Sequence, residues 1–110
     1  FERSAGGNGE IDAGVCGHTA TVRAERGEGY SVRLAIESDC PHVQSLDVEI
    51  DEVDALQQIG LRGGLPPVLK TAYNHCAHAA CPVPAGLVKA IEVAAGLALP
   101  QDVAMRVSQD

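Results

Sequence analysis

The feature that most constrains the fold is a pair of alternating segments separated by a short glycine-containing turn. Residues 20–25 read A-T-V-R-A-E, and residues 30–37 alternate in the same way after the turn R-G-E-G. Alternation with a period of two predicts strands that bury one face, and the glycines permit a tight reversal. We therefore predict a β-hairpin. Its buried face should hold Ala20, Val22, Ala24, Val32, Leu34 and Ile36.

After the hairpin, the spacing of apolar residues changes to that of helices. Val43, Leu46 and Ile50 fit one stripe, with Ser38 or Asp39 as the N-cap. Residues 53–59 predict a short helix or turn. A second helix is predicted from about residue 68 to residue 78, and a third over residues 84–95, where a glycine follows as the cap.

The two ends of the chain complete the predicted architecture. Val103, Met105 and Val107 alternate, which predicts a last strand added to the hairpin sheet. Residues 1–10 are polar and glycine-rich, so we expect a flexible lead-in, followed by a single α+β domain over residues 11–110. The predicted fold class is α+β, with a β-hairpin plus a C-terminal strand forming a small sheet and two to three helices packed on one face.

Charge and hydropathy exclude several classes of partner. The formal net charge is −7, from 15 acidic and 8 basic residues, and the chain has one Phe, two Tyr and no Trp. An acidic chain without basic clusters or stacking aromatics argues against nucleic acid. No apolar run approaches the roughly 20 residues needed to cross a membrane. Residues 1–10 do not resemble a signal peptide, so we expect a cytoplasmic protein. Oligomeric state is not indicated.

Cysteine and histidine carry the clearest functional signal. All eight of these residues fall into three clusters, C-G-H, C-P-H and H-C-A-H-x-x-C-P. Thiolate and imidazole are the side chains that bind zinc and iron–sulfur clusters. The candidate ligands are Cys16, Cys40, Cys76 and Cys81, and the candidate substitutes or supporting residues are His18, His42, His75 and His78.

The predicted topology brings these clusters together. Cys16 shares the parity of Val22, so a regular strand would direct it toward the core, and Cys40 follows the antiparallel return strand. The start of one strand and the end of its partner lie at the same end of a hairpin. Cys76 and Cys81 are close in sequence at a helix end. A single docking step would therefore gather all four thiols.

The donor set favours an iron–sulfur cluster held by four cysteines. No C-x2-C knuckle of a structural zinc site is present, and proline directly follows Cys40 and Cys81, as it does at cluster-binding cysteines of ferredoxin-type proteins. Such a cluster predicts electron transfer or cluster carriage, with a redox or cluster-acceptor protein as partner. The acidic run at residues 47–54 is expected to be a solvated face that could dock a basic redox partner.

Other interpretations of the same residues stay open. A structural zinc ion would make the chain an interaction module. Two disulfides or plain core thiols are further alternatives. An enzyme would use a cysteine activated by histidine, with Cys76 and His75 or His78 as candidates, although His78 at i+2 faces away on a helix.

Three segments of the chain carry a family resemblance: I-D-A-G-V-C-G-H-T from Ile11, E-S-D-C-P from Glu37, and C-P-V-P-A-G-L-V-K-A-I-E-V-A-A-G-L-A-L-P from Cys81. With them the chain resembles, from Ile11 to about Val107, a family of small uncharacterised cysteine-containing proteins of anaerobic bacteria and archaea. The resemblance implies that the cysteines are the hallmark of the family and that the host is an anaerobe. It implies no activity.

Overall fold

A computed structural model of the protein describes residues 6–110. The strands are β1 (Gly6–Asp12), β2 (Thr19–Arg26), β3 (Ser31–Ser38) and β4 (Glu52–Asp54), and the helices are α1 (Pro41–Glu49), α2 (Pro67–His75) and α3 (Val83–Ala94). A short 3-10 turn, Ala55–Gln57, follows β4. The described strands form one antiparallel sheet in the order β1-β2-β3-β4, and the helices cover one face. The predicted α+β class is confirmed.

The predicted hairpin and its buried face are confirmed. β2 pairs with β3 so that Val22 lies opposite Ile36 and Ala24 opposite Leu34. All six residues predicted for this face are buried, whereas their polar neighbours point to solvent. The register follows from the alternation, because a shift of one residue would expose the entire apolar set.

The N-terminal side of the sheet differs from the sequence prediction. Residues 6–10 do not form a lead-in but belong to β1, and residues 1–5 lie outside the described residues. The glycines of β1 allow α3 to approach closely: a Cβ on Gly7 would collide with the carbonyl oxygen of Ala90. A Cβ on Gly86 of α3 would lie 2.7 Å from Ile11 Cδ1. With Ile11 as its only large apolar residue, this strand carries no alternating signal, and close packing stabilises it instead.

The prediction of a C-terminal strand containing Val103, Met105 and Val107 is wrong. Residues 101–110 contain no helix or strand and are exposed, with exposed fractions of 67% for Val103, 79% for Met105 and 95% for Val107. The positions next to the hairpin are taken by β1 on one side and β4 on the other. Beyond β4, the backbone oxygen of Asp51 and the carboxylate of Asp47 accept hydrogen bonds from the amides of Leu34 and Ile36. These two β3 amides, at the edge where a further strand would pair, therefore already have acceptors.

The helices lie close to their predicted positions but have different ends. α1 begins at Pro41 with Cys40 as the N-cap residue, rather than Ser38 or Asp39, and α2 ends at His75. α1 packs on β3, α3 packs on β1 and β2, and α2 contacts both other helices. Residues 53–59 form the end of β4 and the 3-10 turn. In residues 6–110 no helix is long and apolar enough to span a membrane.

Candidate metal centre

A cavity of about 330 Å³ lies where β2 begins and β3 ends, and all four cysteines line it. Its volume falls at the lower end of the roughly 300–1,000 Å³ typical of small-ligand sites. The loop between β1 and β2, the start of α1, the end of α2 and the segment before α3 form its walls. The hairpin end and the α2–α3 connection therefore meet, as the sequence predicted.

Cys40 is held firmly by the ends of the two central strands. Its amide donates a 3.0 Å hydrogen bond to Ser38 Oγ, and that hydroxyl donates to the carbonyl oxygen of Thr19 at 2.7 Å. The Thr19 amide in turn donates to Asp39 Oδ1 at 3.1 Å. This hydrogen bond, together with the nearby His18, holds the pKa of Asp39 below its ordinary value. Cys40 then caps α1 and packs partly against the core.

Cys76 and Cys81 are positioned by the turn that joins α2 to α3. Cys76 is the C-cap residue of α2, with its amide donating to the Ala72 oxygen, and the Cys81 amide donates to the His78 oxygen at 3.2 Å. Burial, which is the largest cause, and the adjacent Cys81 and Cys40 sulfurs together raise the pKa of the Cys76 thiol to about 12. Three thiols therefore lie near one another, and an uncharged Cys76 is favoured at neutral pH.

Cys16 occupies a different setting. It lies in the exposed loop between β1 and β2 and not in a strand, so the expectation that strand parity directs it to the core is wrong. Gly14 and Gly17 flank it with φ values of 94° and 79°, a region that favours glycine. These glycines turn the chain over the cavity, and the Gly17 amide donates to the Gly14 oxygen. The loop turn, and not the pleat of a strand, brings Cys16 to the cavity.

The histidines divide into two groups. His18, His42 and His78 line the cavity, whereas His75 does not. The Nδ1 atom of His18 is buried, lies 3.3 Å from Asp39 Oδ1 and makes no hydrogen bond within residues 6–110. His75 instead joins α2 to α1, because its Nδ1 lies 2.8 Å from Ser45 Oγ and its Nε2 lies 2.8 Å from Glu49 Oε1. With both ring nitrogens engaged, His75 is the poorest metal ligand of the four.

The cavity gathers donors without forming a closed coordination shell. All four cysteines are free thiols. Among the described residues, no group of three or more His, Cys, Asp and Glu side chains is arranged to hold one metal ion. The donor types nevertheless fit a thiophilic metal or cluster, since four sulfurs share one cavity with apolar walls. Binding would require small side-chain and loop movements and the release of thiol protons.

The pKa of Cys76 also bears on the enzyme interpretation. A nucleophilic cysteine needs a lowered pKa, usually from an adjacent histidine or positive charge. The pKa of Cys76 moves in the opposite direction, and the neighbouring His75 is hydrogen-bonded to Ser45 and Glu49. Neither observation favours activation of Cys76 as a nucleophile.

The chain matches a protein-family model over most of its length. Residues 8–107 match the model of a family of unknown function, DUF6951, so the chain belongs to that family. The match begins within β1 and spans the rest of the sheet–helix domain, all four cysteines and the apolar residues of the C-terminal segment. No curated protein and no solved structure matches the chain.

Proposed function

We propose that this member of the DUF6951 family binds an iron–sulfur cluster through Cys16, Cys40, Cys76 and Cys81, and that it transfers electrons or carries the cluster to another protein. One observation carries the proposal: four cysteines from three separate segments of the chain line a single cavity of about 330 Å³. Four-cysteine ligation is the usual way in which proteins hold such clusters, which supply one-electron chemistry when bound.

The ends of two helices add electrostatic support. Cys40 is the N-cap of α1, and Cys81 stands immediately before Pro82, the N-cap of α3. Neither helix has a side-chain hydrogen bond at its N-cap. The first-turn amides of a helix carry partial positive charge and donate hydrogen bonds to anions. A cluster with four thiolates is anionic, and hydrogen bonds to its sulfurs tune its potential. Pro41 and Pro84 have no amide hydrogen, so the first-turn amides that remain at the cavity are those of His42 and Val43 in α1 and of Val83 in α3. These amides suit a cluster in this cavity.

The apolar lining of the cavity supports a function in which no substrate binds to the cluster. Besides the cysteines and histidines, the cavity is lined mainly by alanine, valine and proline, including Ala13, Val43, Ala77 and Val83. Four protein thiolates would leave no coordination position for a substrate while all four are bound. A redox partner or a cluster acceptor is accordingly the expected macromolecular partner. The exposed acidic residues of α1 and β4 offer a surface to a basic partner.

Zinc is the second candidate, and one observation favours it. His18, His42 and His78 line the same cavity as the thiols. Mixed Cys/His sites are typical of structural zinc, with sulfur about 2.3 Å from the metal. In that case the metal would only fix the β1–β2 loop and the α2–α3 turn, and the protein would act as an interaction module.

Metal analysis separates these candidates. The full chain is produced and purified without oxygen, and iron, acid-labile sulfide and zinc are counted per chain alongside the visible absorption spectrum. Iron and sulfide with visible absorbance are expected. A colourless protein with one zinc ion per chain would favour the zinc interaction module over the iron–sulfur protein. If the protein takes up neither metal, even after incubation with ferrous iron and sulfide, both candidate functions are excluded.

The setting that suits this proposal is a cytoplasm with little oxygen. Partly exposed clusters are lost when their sulfurs are oxidised, and Cys16 is exposed. The anaerobic host implied by the sequence resemblance would protect such a site. A reducing cytoplasm would also keep the four cysteines as thiols.

A further inference from the structure

The four cysteines of the cavity are not equivalent. Cys40, Cys76 and Cys81 are half-buried, and each lies at or beside a helix end. Their amides are hydrogen-bonded to Ser38 Oγ, the Ala72 oxygen and the His78 oxygen. Cys40 and Cys81 also pack against the core. The position of these three thiols is therefore set by the same packing that holds the helices.

Cys16 is held less firmly. Its loop contains hydrogen bonds from the Ala13 amide to the His18 oxygen and from the Gly17 amide to the Gly14 oxygen, but within residues 6–110 none involves Cys16 itself. Cys16 is exposed, and it does not belong to the set of side chains that pack against the core. The glycines on either side have open space around them, because a Cβ on Gly14 or Gly17 would meet no atom within 4 Å. A loop with exposed residues and few packing contacts opens at low free-energy cost. Cys16 can therefore leave and rejoin the cavity without disturbing the sheet.

We propose that Cys16 is the exchangeable ligand of the cluster, at which the cysteine of an acceptor protein enters. This inference rests on the proposed function and selects cluster carriage over simple electron transfer. In the exchange, the bond between Cys16 sulfur and iron breaks and Cys16 takes up a proton. The acceptor thiol gives up a proton as its sulfur binds the same iron. The oxidation state of the cluster does not change.

The surroundings of Cys16 leave it accessible to an acceptor thiol. The adjacent Val15 side chain is fully exposed at the mouth of the cavity, so the approach to Cys16 from solvent is open. The other three thiolates would keep the cluster attached while this contact forms.

Single alanine variants test whether the four cysteines contribute unequally to cluster binding. Wild type, Cys16→Ala, Cys40→Ala and Cys81→Ala are reconstituted with ferrous iron and sulfide without oxygen, and iron and sulfide are counted after desalting. Cys16→Ala is expected to retain the cluster, whereas Cys40→Ala and Cys81→Ala lose it. Val15→Ala, which keeps all four thiols, is the matched loop control. Serine variants at positions 40 and 81, with melting curves of each apo-protein, separate loss of a ligand from loss of the fold.

The second measurement uses 2-mercaptoethanol as the external thiol. Its addition to the loaded Cys16→Ala protein should change the visible circular dichroism of the cluster, because the thiol binds the iron that Cys16 has left. Wild type should change less. Cluster loss in Cys16→Ala as complete as in the other two variants would overturn the inference, as would a retained cluster that does not respond to the thiol. Neither result affects the proposed function, which fails only if wild type itself takes up no cluster.

Discussion

The helix-covered face of the sheet and the cysteine cavity at its end differ in how side chains fill space. On the covered face, aliphatic residues from every helix and from β2 and β3 are buried, and Gly7 and Gly86 bring β1 and α3 into close contact. At the other site, four thiols line an open volume of about 330 Å³. Protein interiors are normally close-packed. The contrast indicates that the core stabilises the fold, and it leaves the cavity as the place for the proposed ligand.

The largest expected effect tests the core. Leu34 is 4% exposed on the hairpin face, so Leu34→Ala should lower the free energy of unfolding by about 2–5 kcal/mol through lost burial and a cavity. Chemical denaturation of the apo-protein measures this. Leu99 is 87% exposed and provides the matched control, with an expected change below about 0.5 kcal/mol for Leu99→Ala. Equal losses in the two variants would contradict the assignment of the core.

Removal of the bound metal tests the cavity. A ligand that binds only the folded state at about 100 times its dissociation constant adds about 2.7 kcal/mol to stability. Chelation should therefore lower the melting temperature of the loaded protein. The stripped protein should keep the circular dichroism of the folded sheet and helices, since the apolar core touches the cavity only through Val43 and Val83 and is otherwise packed away from it. Complete unfolding on stripping would show that the two regions depend on each other.

The contact between β1 and α3 is tested by adding a methyl group. Gly7→Ala places a Cβ against the backbone oxygen of Ala90, which cannot move independently, and should cost about 1–3 kcal/mol. Gly9→Ala in the same strand places a Cβ 3.6 Å from the nearest atom, the Gly86 oxygen, and should be neutral or slightly stabilising. Thermal melting of the two variants measures the difference, and a neutral Gly7→Ala would show that the close approach is not needed.

Substitution of His75, which bridges two helices, and of His78, which lines the cavity, should give smaller effects on different properties. His75 bridges Ser45 and Glu49, so His75→Ala should lower the stability of the apo-protein by about 1 kcal/mol and leave metal uptake intact. His78 is exposed at the cavity, so His78→Ala should leave apo stability unchanged and weaken metal retention, by about 10–100-fold if it supports a ligand. Melting curves and competition with a chelator measure both effects. The reverse pattern would exchange the roles assigned to the two residues.

The smallest effect concerns the C-terminal segment. Residues 101–110 are exposed and contain no helix or strand, so a chain ending at Pro100 should differ from the full chain by less than about 0.5 kcal/mol. Denaturation of the two proteins side by side checks this. A larger loss would mean that Val103, Met105 and Val107 contact the domain after all.

Local patterns predicted the parts of the fold that depend on local chemistry. The alternation around Val22 and Leu34 fixed both the hairpin and its buried face, because a side-chain period of two has one low-energy register when one face is apolar. The stripe containing Leu87 and Ile91 predicted α3 to within one residue at each end. The same reasoning failed at Val103 to Val107, where alternation exists but no free sheet position lies beside the hairpin.

The sequence by itself indicated the donor chemistry and two proximities, Cys16 with Cys40 at one end of the hairpin and Cys76 with Cys81 along the chain. The meeting of the two pairs at one cavity depends on how the helices pack on the sheet. Only the tertiary structure decided the rest. The glycine-rich segment forms β1 because it packs closely against α3. The loop that follows β1 places Cys16 at the cavity as an exposed thiol. Hydrogen bonds to Ser45 and Glu49 removed His75 from the site. Each of these outcomes depends on contacts between residues distant in sequence, which no local pattern of side chains encodes.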